Sequence, residues 1–218
     1  MALLDSFDRK IDYLRISITD HCNLKCYYCT PFSSCSHLER SKILTYEELL
    51  NLARAAAAAG ITKIRVTGGE PLVRKGVVEF CRMLSKIDGL KSLALTTNGI
   101  YLKEMAEPLF KAGVRRINIS LDTLRPERFE KITGYDWLSR VLAGIKHAEQ
   151  IGMYPIKIKT CLFSREEIDI KTPLKAGAIQ NEIIDIFEQA LANKPSGHHL
   201  NAKEHQNACQ RAMRAIGG

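Results

Sequence analysis

The sequence has no run of about eighteen apolar residues, so no membrane-spanning helix is expected. Its amino end has no apolar stretch either. Asp5, Asp8, Arg9, Lys10 and Asp12 interrupt the first thirteen residues, which reads as a chain without a signal peptide and with a cytoplasmic location. There is no internal repeat and no low-complexity linker. Tryptophan occurs once, at Trp137, and is assigned with the methionines to the core. The seven cysteines are an odd number, which in a reducing compartment argues against a disulfide framework. With 45% hydrophobic and 26% charged residues the chain is neither disordered nor fibrous. Its 218 residues fall short of the roughly 250 of a complete eight-unit β/α barrel.

A net charge of +8 is present. It favours anionic partners without choosing among them. No nucleic-acid readout motif accompanies it, so a nucleic-acid partner is not expected. Short β-branched runs alternate with helical stretches. Strands are expected near 13–19, 61–67, 92–97, 114–121 and 154–159, with helices near 45–59, 76–87, 102–112 and 126–151. Thr45 and Glu48 have capping-box spacing, and Gly60, Gly113 and Gly152 stand at helix ends. This order predicts an α/β fold with a parallel sheet, open or closed into a barrel.

Each strand alternates. Ile16 and Ile18 oppose Arg15 and Ser17; Ile64 and Val66 oppose Lys63, Arg65 and Thr67; Leu93 and Leu95 oppose Ala94 and Thr96. Ile117 and Ile119 oppose Arg116, Asn118 and Ser120, and Ile156 and Ile158 oppose Lys157 and Lys159. A parallel sheet buried on both faces reads as nearly continuous apolar sequence. One polar, basic face therefore points to a lumen that takes an anionic ligand. A solvent-facing antiparallel sheet would give the same alternation.

Cys22, Cys26 and Cys29 form C-x3-C-x2-C just after the first strand. Three thiolates on one loop can hold three irons of a 4Fe–4S cluster and leave the fourth open. The alternative is zinc, completed by His21, Cys35 or His37. A loop at the carboxyl end of a barrel strand is where such enzymes place their chemistry. Thr67-Gly68-Gly69-Glu70-Pro71 after the second strand is a strand–helix turn whose paired glycines let the backbone approach a ligand closely. Glu70 and Asp122 are candidate catalytic carboxylates, with the orienting of ligand or backbone as the favoured use, and Cys81 is read as a small buried hydrophobe.

With Tyr28 in the aromatic position, the cysteine motif resembles that of the radical S-adenosylmethionine (SAM) superfamily. Residues 14–20, 64–72, 96–99, 118–122 and 132–134 further resemble the GTP 3',8-cyclase family of molybdenum cofactor biosynthesis. The resemblance implies a partial radical-SAM barrel of about five parallel strands with an irregular C-terminal tail. It also implies a 4Fe–4S cluster on Cys22, Cys26 and Cys29. SAM contacts would come from Tyr28, Gly69 and Ser120, and GTP contacts from Arg15, Arg65, Thr96 and Lys157. The implied reaction cleaves SAM by one electron to a 5'-deoxyadenosyl radical, which takes the ribose 3'-hydrogen so that the sugar carbon bonds to guanine C8. GTP is the implied substrate and a one-electron reductant protein the implied partner; a homodimer is compatible with it.

The sequence also departs from that family. There is no second C-x2-C for a second cluster. Cys161-Leu162-Phe163 resembles the neighbourhood of the third cysteine of that site, and Gly217-Gly218 resembles the family's glycine tail. Residues 1–159 are therefore read as a partial barrel, and 160–218 as the remnant of a C-terminal region after an internal deletion. A further helix is expected near 178–192, and His198, His199 and His205 are read as surface residues. The expected activity is that of a GTP 3',8-cyclase impaired by the missing second cluster. The alternatives are radical SAM chemistry on another substrate and a non-enzymatic remnant.

Overall fold

The computed structural model describes residues 3–29 and 38–161. Cys35, His37, the helix near 178–192, the three tail histidines, Cys209 and Gly217-Gly218 lie outside them. Five strands, β1 (Tyr13–Ser17), β2 (Lys63–Thr67), β3 (Ser92–Thr97), β4 (Arg116–Ser120) and β5 (Ile156–Lys159), form one sheet in chain order. All four pairings are parallel, so the antiparallel alternative falls away. Helices α1 (Tyr46–Ala58), α2 (Val77–Ser85), α3 (Leu102–Lys111), α4 (Pro126–Thr133) and α5 (Leu138–Gln150) fill the crossovers. The structure divides into one compact unit of Met1–Ser120 with Pro126–Lys159, and a second to which Leu121–Arg125 and Thr160 belong.

The expected alternation is realised in β1, β2 and β5, while in β3 and β4 Ala94 and Asn118 are buried on the polar face as well. Ile16, Ile64, Val66, Leu95, Ile117 and Ile119 are buried on one face, while Arg15, Arg116, Ser120, Lys157 and Lys159 are exposed on the other. The core continues into the helices through Phe80, Leu84, Leu102, Leu109 and Val141. At the start of α1 the capping box forms in full: the Thr45 hydroxyl accepts from Glu48 N–H at 3.2 Å and the Glu48 carboxylate accepts from Thr45 N–H at 2.7 Å. Cys81 is fully buried, which pushes its thiol up to about 12.

Two expectations change. The single helix over 126–151 is two helices, because Gly134 adopts φ +80° and breaks the ladder as a left-handed residue does at a helix end. Trp137 is half-buried and not core; it stands at the start of α5, stacked on Tyr135 at 4.2 Å.

Helices α3 and α5 meet where Gly144 has no side chain. A Cβ there would lie 2.9 Å from Leu102 Cβ and 3.0 Å from the Gly99 carbonyl. Gly144→Ala is expected to lower unfolding free energy by about 1–3 kcal/mol through overpacking, despite alanine's better helix propensity. Urea denaturation measures it; unchanged or higher stability would show that the two helices separate without cost.

Candidate functional site

The loop that carries the cysteines leaves β1 and is tied at three places. First, the glycine turn after β2 packs on the exit of β1. Gly69 N–H donates to the Thr19 carbonyl and Glu70 N–H to that of His21, each at 2.7 Å. A Cβ on Gly69 would sit 2.7 Å from the Asp20 carbonyl oxygen and nearer still to that of His21, so glycine is required there by backbone approach. Second, Lys25 and Tyr27 N–H donate to the carbonyls of Thr133 and Ile132 at 2.9 and 3.1 Å. Those carbonyls are free for the loop because α4 has ended. Third, the Asn98 side chain after β3 donates to Asn23 Oδ1 at 2.7 Å and to Cys22 Sγ at 3.8 Å.

Glu70 organises this region from beneath. It is 1% exposed. Its carboxylate accepts from Leu72 N–H at 2.9 Å, the Thr97 hydroxyl at 2.8 Å and Asn98 N–H at 2.6 Å. Burial outweighs those donors and pushes the carboxyl up to about 7. Asp122 likewise serves backbone, accepting from Cys161 N–H at 2.8 Å. Arg74 reaches back to the carbonyls of Ile18 and Leu44, a brace of the β1 exit that lay outside every motif in the sequence.

Cys22, Cys26 and Cys29 form no disulfide. Partial desolvation raises the Cys22 thiol, as does the charge of Glu70, against the lowering effect of the Leu24 and Asn98 donors. Among the described residues no three His, Cys, Asp or Glu side chains converge to hold one ion. A cubane takes each thiolate on a different iron, so it does not ask for that convergence. Asn23, beside Cys22, keeps a buried Nδ2 with no acceptor, and an electron-rich sulfide cluster would supply one. The donor set therefore fits a 4Fe–4S group held by Cys22, Cys26 and Cys29. Cys35 and His37, two of the residues that would complete the zinc alternative, lie outside the described residues.

Of the other expected site residues, Arg15, Arg65, Thr96 and Lys157 share one face of the sheet, while Tyr28, Gly69 and Ser120 stand at or beyond strand ends. Tyr28 is half-buried on the cysteine loop, edge-on to Tyr27 at 5.6 Å. Gly69 follows β2, and Ser120 ends β4. Arg15 and Arg65 are register partners; Thr96, Asn118 and Lys157 make the next row. Asn118 has a role on this face that the sequence did not reveal. The Asn118 amide oxygen, oriented to suit its donors, accepts from Arg65 Nε at 3.1 Å and Nη1 at 3.2 Å. Arg65 also lies over the Tyr13 ring at 5.2 Å, so its guanidinium is held on two sides. Alternation put Asn118 on this face but could not say that it aims an arginine.

The folded chain binds a proton at Glu70 more tightly than the unfolded chain does. That contribution to stability is whole below the ordinary carboxylate range and is lost as pH rises through about 7. The melting temperature is expected to fall over that window, and Glu70→Gln to flatten the fall. Thermal melts of both proteins from pH 4 to 8 check this; parallel curves would remove Glu70 as the cause.

A model of the radical SAM superfamily matches residues 16–170. The chain is 50% identical over 182 residues to the GTP 3',8-cyclase of Peptoclostridium acidaminophilum, covering 84% of this chain and 56% of that one. It is 55% identical over 158 residues to the GTP 3',8-cyclase of Geobacter sulfurreducens, covering 72% and 48%. It thus spans about half the length of the curated relatives it matches. Streptococcus suis SuiB bound to S-adenosylmethionine has a similar fold, with TM-score 0.62 at 16% identity over 94% of this chain and 48% of that one. SuiB bound to its precursor peptide SuiA aligns with TM-score 0.60 at 21% identity, over 72% and 35%. A cysteine loop of this spacing, moored to the strand exits of a parallel β/α sheet and matched by that family across most of its length, places the chain in the radical SAM superfamily.

Proposed function

We propose that this chain carries the SAM-cleaving core of a GTP 3',8-cyclase and takes GTP on the basic face of its sheet. The observation that carries the reading is the shared placement of two sets of residues. The cysteine loop sits at the strand exits, and the Arg15–Arg65 pair lies on the polar face below it. When bound, the cluster and SAM supply a 5'-deoxyadenosyl radical by one-electron reduction.

The chain's own residues do the rest. Cys22, Cys26 and Cys29 hold the cluster. Tyr28, Gly69 and Ser120 hold SAM at the strand exits. Arg15, Arg65 and Lys157 neutralise the triphosphate, and Thr96 adds a hydroxyl on the row between them. Guanidinium groups suit phosphate because their donors form a planar fork. Asn118 pre-orients one fork before substrate arrives, which spares part of the ordering cost of binding.

Residues 1–159 form the working core in this reading, and 160–218 are a remnant of the C-terminal region. No second C-x2-C is present, so SAM cleavage is retained while GTP turnover is weak or absent. The chain works in the cytoplasm with a one-electron reductant protein, and can pair as a homodimer.

Anaerobic reconstitution with iron and sulfide, followed by dithionite and SAM, tests the reading. The expected product is 5'-deoxyadenosine, formed faster when GTP is present. A fully loaded protein that makes none would overturn the proposal. Asn118→Leu releases the Arg65 guanidinium without removing a charge. It is expected to weaken GTP binding roughly tenfold, about 1.4 kcal/mol, while SAM cleavage without GTP stays unchanged. Calorimetric titration of GTP into the loaded protein measures the first and chromatography of 5'-deoxyadenosine the second. Equal GTP affinity would show that Asn118 does not orient the clamp.

A further inference from the structure

Asn98 makes four polar contacts, and together they leave its side chain one orientation. Its Oδ1 accepts from Ile100 N–H at 3.1 Å. Its Nδ2 donates to Asn23 Oδ1 at 2.7 Å and to Cys22 Sγ at 3.8 Å. Its backbone N–H is held by Glu70 at 2.6 Å. Turning the amide over would set N–H against N–H at Ile100 and oxygen against oxygen at Asn23. The NH2 group therefore faces the sulfur. Leu24 N–H also donates to Cys22 Sγ at 3.4 Å, and the Asn23 N–H acts on the same thiol; both are backbone groups that stay whatever the side chains are.

We propose that Asn98 is a positioning residue for the cluster: its amide fixes the Cys22 sulfur and, by donating to it, makes the cluster easier to reduce. A hydrogen bond to a ligand sulfur draws electron density from the iron–sulfur core and stabilises the extra negative charge of the reduced state. Cys22 is exposed, so water competes for its sulfur, and a donor already fixed in place is what keeps the hydrogen bond there. Asn98 is itself about 9% exposed and is fastened through Glu70 to both β2 and β3. Its donor is thus set by the rigid sheet and not by the loop that carries the cysteines. The inference rests on the reading of Cys22 as an iron ligand. It needs neither GTP nor turnover.

Two variants separate tuning from simple support. Asn98→Leu removes the donor and the Oδ1. Asn98→Asp keeps an oxygen for Ile100 N–H and sets a second oxygen where the amide donated. After anaerobic reconstitution, iron and sulfide content are measured, and the midpoint potential is taken from a redox titration followed by electron paramagnetic resonance. Both variants are expected to titrate at more negative potential than the parent, Asn98→Asp further than Asn98→Leu. For Asn98→Leu the ratio of reduced to oxidised cluster at fixed poise is expected to fall tenfold, about 59 mV for one electron.

A structural role alone would lower iron retention but leave the potential of the loaded fraction unchanged. That result overturns the proposal. If neither variant retains a cluster, Asn23→Asp protein labelled with nitrogen-15 in its asparagine side chains decides, because that change removes the Asn23 amide nitrogen and keeps an oxygen for Asn98. A nitrogen-15 coupling to the reduced cluster supports the assignment, and its absence overturns it. Parent protein that takes up no iron and sulfide at all would instead overturn the cluster reading itself, an outcome distinct from a full cluster with an unmoved potential.

Discussion

Glu70 holds a carboxylate where water scarcely reaches, and three donors from two strand exits are directed at it. A buried carboxylate without partners would be costly. With them it becomes a rigid joint. Leu72 lies just beyond β2, and Thr97 and Asn98 stand at the end of β3. The same residue's N–H reaches the His21 carbonyl on the exit of β1. One side chain and its amide thus fasten three neighbouring strand ends. The cysteine loop, the glycine turn and the Asn98 amide all take their positions from that fastening.

The sheet supplies the second constraint. Its parallel register places residues of unlike sequence neighbourhoods in one row, so that Arg15 meets Arg65 and Thr96 meets Asn118 and Lys157. Arg15 is exposed and Arg65 half-buried, so solvent screens their like charges. Such a pair favours a ligand with several negative charges over one with a single charge. The apolar face, with Ile16, Ile64, Val66, Leu95, Ile117 and Ile119 buried, carries much of the sheet's stability.

Much of this was legible in the sequence, for definable reasons. Period-two alternation in Arg116-Ile117-Asn118-Ile119-Ser120 assigned both faces of β4 before any coordinates. The cysteine spacing and the paired glycines are local signals, and each kept its meaning in the fold. What stayed hidden depends on contacts across strands. Asn98 and Asn118 lie inside the resembling segments 96–99 and 118–122 but had no role assigned; their amides matter because the fold sets one beside Cys22 and the other beside Arg65. Arg74 is hidden for the same reason. The helix over 126–151 was misread because apolar positions recur at helical spacing on both sides of Gly134, and a single glycine is a weak stop signal beside that periodicity. Trp137 was assigned inward on hydrophobicity alone, while its actual neighbour is Tyr135.

The break at Gly134 has a consequence for how this chain can change over time. An α-helix that ran on past Thr133 would offer the carbonyls of Ile132 and Thr133 to its own next turn. The amides of Lys25 and Tyr27, which now dock there, would be left to find solvent. The length of α4 is therefore set by a loop more than a hundred residues earlier, and lineages that keep the thiol loop have reason to keep that helix short.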